Sequence, residues 1–196
     1  MRASVIPITG VDSADRLLEE QPLALLIGML LDQQVPMEWA FRGPATLRER
    51  LGGQLDAGAI AAMSTDDVVD LCCEKPAIHR YPAAMARRIH GLCVLLVERY
   101  GGDSERIWSE ASDAQDLYRR LRELPGYGDE KARIFIAILA KRFGVRPDGW
   151  IDVCAPFSDD EPRSVADVDS AESLARVREW KQMMKAAKKA KSDPVS

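Results

Sequence analysis

Apolar positions along this chain recur at helical rather than strand spacing, and no stretch alternates convincingly between apolar and polar residues. The pattern predicts an all-α protein. A short first helix is expected over ADRLLEE, capped by Asp12 or Ser13, and Pro22 suits the first turn of a second. That second helix, LALLIGMLL at 23–31, is apolar all round, as a helix buried in the middle of a bundle must be. It is about half the ~20 residues a membrane span needs, so it reads as core.

Two more polar helices are expected around PATLRERL and STDDVVDLCCE, the latter capped by Ser64 or Thr65. The proline-bounded loop KPAIHRYP then leads into AAMARRIHGLCVLLVERY. There Ile89, Leu92, Cys93, Leu96 and Tyr100 share one helical face, and Gly101-Gly102 supplies the stop. Next, DAQDLYRRLREL, the turn LPGYG and DEKARIFIAILAKRF form an αα-hairpin. After GVRPDGWID the pattern weakens into the polar loop SDDEPRS, and a last helix is expected from Asp169, with Glu172 completing a capping box.

Composition narrows the class. With 46% hydrophobic and 30% charged residues over 196 positions, the chain can build a real core as one domain or two small lobes. A net charge of −4 advertises no general affinity for nucleic acid, so a DNA partner would have to be held by a local basic surface. The four cysteines form no secreted-type framework and the N-terminus lacks a signal-peptide pattern, which points to the cytoplasm. Lys181, Lys185, Lys188, Lys189 and Lys191 near the end read as a solvated helix end, with an auxiliary DNA contact as the alternative.

The hairpin LPGYGDEKA carries the sharpest chemistry. Gly126 and Gly128 tolerate unusual backbone angles and leave amides unshielded where the next helix begins. Amides at the positive end of a helix form an anion site, and a DNA phosphate fits it without any demand on base sequence.

Together with LIGMLLDQQVPMEWA and MARRIHGLCVLLVERYGG, this hairpin resembles the helix-hairpin-helix (HhH-GPD) DNA glycosylases of base-excision repair, over roughly residues 20–152. The resemblance implies an all-α, two-lobed protein in which residues 1–196 form one unit. The expected division is a central lobe, 22–128, ending in the hairpin, a second lobe of 1–21 with 129–180, and a lysine-rich tail, 181–196. It also implies a monomer that grips double-stranded DNA with its hairpin and rotates a damaged base into a cleft. Rotation is needed because a stacked glycosidic bond cannot be reached.

Site residues follow from the same resemblance. Gln34, or Gln33 beside it, would fill the hole left in the duplex. Leu124, Gly126, Tyr127, Gly128 and Lys131 would contact DNA. The strand-cutting lysine of bifunctional members aligns with Glu130, and Lys131 comes one residue, about 100°, later, which is expected to turn it away from the cleft. A monofunctional, hydrolytic enzyme is therefore expected. Asp152, with Asp148 in reserve, would stabilise positive charge on the sugar and help water attack. Trp39, Tyr81 and Trp150 are candidates for the base pocket, alongside Phe41, His79 and Arg80. Many members carry an iron–sulfur cluster on four cysteines beyond the aspartate, but only Cys154 lies there, so no cofactor and no metal site are expected. A non-catalytic DNA-binding or interaction protein on the same fold is the alternative.

Overall fold

A computed structural model of the protein describes residues 6–187. Among them are eleven α-helices, one 3-10 turn and no strand. The helices are α1 (Asp12–Glu20), α2 (Pro22–Leu31), α3 (Met37–Arg50), α4 (Ala57–Ala62), α5 (Thr65–Cys73), α6 (Pro82–Tyr100), α7 (Arg106–Ser109), α8 (Ala114–Arg122), α9 (Asp129–Arg142), α10 (Trp150–Cys154) and α11 (Ala171–Ala186), with the 3-10 turn at Val165–Asp167.

The apolar helices lie where their composition requires. Every residue of α2 from Leu23 to Leu31 is buried, and so is α9 from Ile134 to Ala140. Each large aliphatic side chain so buried contributes about 1.5–3 kcal/mol relative to exposure. Helix α2 packs closely on α3 because residue 28 is glycine: a Cβ there would stand 2.7 Å from Cδ1 of Phe41. In α6 the predicted stripe of Ile89, Leu92, Cys93, Leu96 and Tyr100 is buried, and Gly101 ends the helix at φ +64°.

Several local expectations change. Val11, not Asp12 or Ser13, stands at the N-cap of α1, while the Asp15 carboxylate accepts from the amides of Ile8 and Thr9 at 3.2 and 2.8 Å. Asp15 thus pins the preceding segment instead of leaving α1 to a side-chain cap. Helix α3 begins at Met37 and absorbs MEWAF, with Pro44 inside it. Ser64 caps α5 as expected. The last helix is capped by Ser170 with Ser173, one residue later than the Asp169 and Glu172 pattern predicts.

Packing contacts run between elements on both sides of the expected lobe boundary. Helix α1 packs on α3 and on α2, to which a single residue, Gln21, joins it, and its Leu18, Glu19 and Glu20 also border a concavity with Trp108 and Leu139. Helix α8 packs on α9 and α10, and the 3-10 turn bridges α9 and α11. Contact between α2 and α9 joins the two halves through one continuous core. Helix α11 is anchored by buried Val177, Trp180 and Met184, by the Arg163 guanidinium 5.1 Å over the Trp180 ring, and by an Arg178–Glu38 ion pair reaching α3. None of the described helices is long and apolar enough to cross a membrane.

Candidate nucleic-acid interface

The hairpin expected between α8 and α9 is present. Gly126 adopts φ +82°, a conformation that calls for glycine, and a Cβ there would press on the Arg88 side chain, 3.3 Å from its Cδ. Gly128 is the N-cap of α9. The amides of Gly126 and Gly128 have no hydrogen-bond partner among the described residues. Unpaired donors at a helix N-terminus attract phosphate oxygens.

These amides border a groove of about 740 Å³. Its first wall is the hairpin, with Gly126, Gly128, Asp129, Glu130 and Lys131; its second is the end of α2 and the following turn, Met29 and Asp32 to Val35; its third is α11, with Lys181, Met184 and Lys185. The structure therefore brings Gln33, Gln34 and the hairpin glycines together, as the sequence suggests.

Gln33 and Gln34 are placed differently. The Gln33 side-chain oxygen accepts from Arg88 Nη1 at 2.9 Å, and its carbonyl accepts from His79 Nε2 at 2.9 Å. Because the Tyr81 amide donates to His79 Nδ1 at 3.0 Å, Nε2 must carry the proton, which defines a neutral imidazole. Burial, opposed only in part by the backbone bonds, holds His79 below its ordinary pKa, and Lys131 and Arg88 push it the same way. Gln33 is thereby locked. Gln34 is exposed at φ +58°, the one non-glycine residue with positive φ among those described, and it lines the groove.

Lys131 does not turn away from the groove, contrary to the helical-rotation argument. It lines the wall, and its ammonium donates to the carbonyl of Leu30 at 2.5 Å. That carbonyl lies in the last turn of α2, where a cation is electrostatically favourable. Leu124 and Tyr127, expected to touch DNA, are buried. Tyr127 donates to the carbonyl of Leu26 at 2.8 Å and packs edge-on against Phe135, so it binds the hairpin to α2 from inside. Burial raises its hydroxyl pKa well above 10.

The acidic residues divide into three settings. Asp129 accepts from the Tyr118 hydroxyl at 2.5 Å and from Arg133 Nε at 3.1 Å, and the tyrosine hydrogen bond holds its pKa below the ordinary carboxylate value. Its charge is thus answered within α8 and α9. Asp152, the expected catalytic residue, is exposed in the first turn of α10 and lines a separate, smaller concavity with Gln115, Tyr118, Arg133 and Val153. That concavity shares no lining residue with the groove. Asp32, unremarked in the sequence, does line the groove, and its carboxylate has no hydrogen-bond or ion-pair partner among the described residues.

The aromatic candidates also separate. Trp150 is half-buried against the core and lines neither concavity. Phe41 is fully buried. Trp39 and Tyr81 are exposed, flank buried His79 at 6.3 and 6.1 Å between ring centroids, and belong to a surface beside the glutamine turn rather than to the groove itself. Arg80 lies 5.4 Å over the Tyr81 ring. Asp148 is exposed, outside the groove, with its carbonyl accepting from the Ala114 amide at 2.9 Å. Lys188, Lys189 and Lys191 lie outside the described residues.

An all-helical protein with a glycine hairpin opening onto a groove is the class these features define. The family described as HhH-GPD superfamily base excision DNA repair protein matches residues 27–193, and the chain belongs to it. Membership brings DNA binding and base excision repair with it. No curated protein and no solved structure matches the chain.

Proposed function

We propose that this protein is a monofunctional DNA N-glycosylase. It flips a damaged or misplaced base out of double-stranded DNA into the groove and hydrolyses its glycosidic bond. The observation that carries this reading is the meeting, on one groove, of the unpartnered Gly126 and Gly128 amides with the exposed Gln34. The amides hold a backbone phosphate, and Gln34 fills the vacated stack while the extruded nucleotide enters the groove.

Within this reading Asp32 replaces Asp152 as the carboxylate that stabilises the sugar cation and orients water, since Asp32 faces the groove and Asp152 does not. Negative charge at the C-terminal end of a helix is unfavourable, so Asp32 is not placed there for stability. Lys131 supports hydrolysis rather than strand cutting. A Schiff-base nucleophile must be neutral, whereas the bond from its ammonium to the Leu30 carbonyl favours the charged form. Trp39 and Tyr81 then contact DNA beside the groove, not the extruded base.

The test is a panel of duplexes bearing uracil, hypoxanthine, alkylated or oxidised bases, treated with alkali after incubation. Breaks at one class of lesion, appearing only after alkali, are expected. Breaks without alkali would contradict the hydrolytic assignment, and intact strands throughout would remove the enzymatic one.

A further inference from the structure

We infer that α11 is a second phosphate-binding wall, with Lys181 and Lys185 holding the DNA backbone across the groove from the glycine hairpin. The inference rests on the DNA-binding reading above and adds a surface to it. Lys181 and Lys185 are four residues apart, hence on one face of α11, and both line the groove together with Met184. Their helix is fixed in place. Trp180 and Met184 are buried, Arg163 stacks on Trp180, and Arg178 pairs with Glu38 on α3.

Charge argues the same way. The hairpin and α2 walls present Asp32, Asp129 and Glu130, yet the ligand is a polyanion and the chain as a whole carries −4. Asp129 is answered by Arg133. Among the described residues lining the groove the cations are Lys131, Lys181 and Lys185, and the Lys131 ammonium sits on the Leu30 carbonyl. Two of these three cations therefore come from α11, so the local basic surface that an acidic protein needs in order to hold DNA is supplied largely by its last described helix.

Salt dependence measures this directly. Each phosphate neutralised contributes about 0.9 to the slope of log affinity against log salt, which is about 3.5-fold in affinity between 50 and 200 mM, and two contribute about 12-fold. Duplex binding by the full chain is measured over that range for the wild type, Lys181→Gln/Lys185→Gln, Lys181→Arg/Lys185→Arg, and Arg16→Gln as a control at an exposed position of α1 outside the groove. The glutamine pair is expected to lose about 12-fold less affinity across the range than the wild type, while the arginine pair and the control keep the full slope. Lys185→Gln alone, on an exposed side chain, is expected to show about half the change in slope. A wild type that binds DNA with a slope the glutamine variants leave unchanged overturns the inference. A wild type without affinity for duplex at low salt overturns the DNA-binding reading itself.

Discussion

Replacing Gln34 by glycine should stabilise the protein while removing its grip on a gapped stack. Gln34 holds φ +58°, is exposed and makes no hydrogen bond with the described residues, so no native hydrogen bond is lost. Left-handed backbone costs a non-glycine residue about 1–2 kcal/mol. Glycine gives back about 0.5–1 kcal/mol through its freer unfolded chain. The net gain of roughly 0.5–1 kcal/mol raises Tm by about 1–4 °C in a chain of this size. Gln34→Ala keeps the strained angle and should leave Tm within about a degree. Both variants lose the side chain that fills the duplex. Each should therefore lose about tenfold in preference for an abasic-site duplex over an intact one, the worth of one good hydrogen-bonded contact. Thermal melts and competition binding read the two effects separately. Glycine melting below alanine would refute the strain argument, and an unchanged preference would refute the role of Gln34.

Other outcomes follow from the same geometry. Asp32→Asn should cut base release about a hundredfold or more, in the range of removing one transition-state stabiliser, whereas Asp152→Asn should keep near wild-type rates; the reverse result moves the chemistry to the α10 surface. Lys131→Met removes a charged hydrogen bond from the end of α2 and should cost about 1.5–3 kcal/mol in urea unfolding, and borohydride should trap no adduct between the wild type and abasic DNA. His79 is neutral in the fold with a pKa below its ordinary 6.5, so the unfolded chain binds its proton first as pH falls. Its contribution to stability is present above about 6.5 and is lost from there down through the folded pKa. In His79→Asn that part of the acid-side decline should vanish from pH-dependent melts.

Most of the fold was legible because its signals are local. The α6 stripe, the Gly101 stop, the Ser64 cap, Pro22 and the all-apolar α2 each announce themselves within a few residues. The hairpin was legible for the same reason, its glycines demanding a particular backbone. What escaped was whatever depends on long-range closure. The side-chain reach of Lys131, which brings its ammonium to a carbonyl 101 residues earlier in the chain, outweighs the 100° rotation that argued against it. Tyr127 looks like a hairpin contact in sequence but spends its ring on Phe135 and its hydroxyl on Leu26. Asp152 took its expected role from the family resemblance, and its place in the sequence does not reveal which concavity a short helix faces. The placement of Lys181 and Lys185 on one face of α11 was visible, since lysines four apart share a face, but the groove that face lines is completed by α2 and the hairpin.

The central claim is that a nucleotide leaves the duplex and enters the groove between the hairpin and Gln34. A duplex carrying 2-aminopurine at the target position reports this directly, because its fluorescence rises when it unstacks. Saturating wild-type protein is expected to raise that fluorescence severalfold at a mismatched or damaged site, and Gln34→Ala to abolish most of the rise. Tight binding with no change in fluorescence would contradict the account.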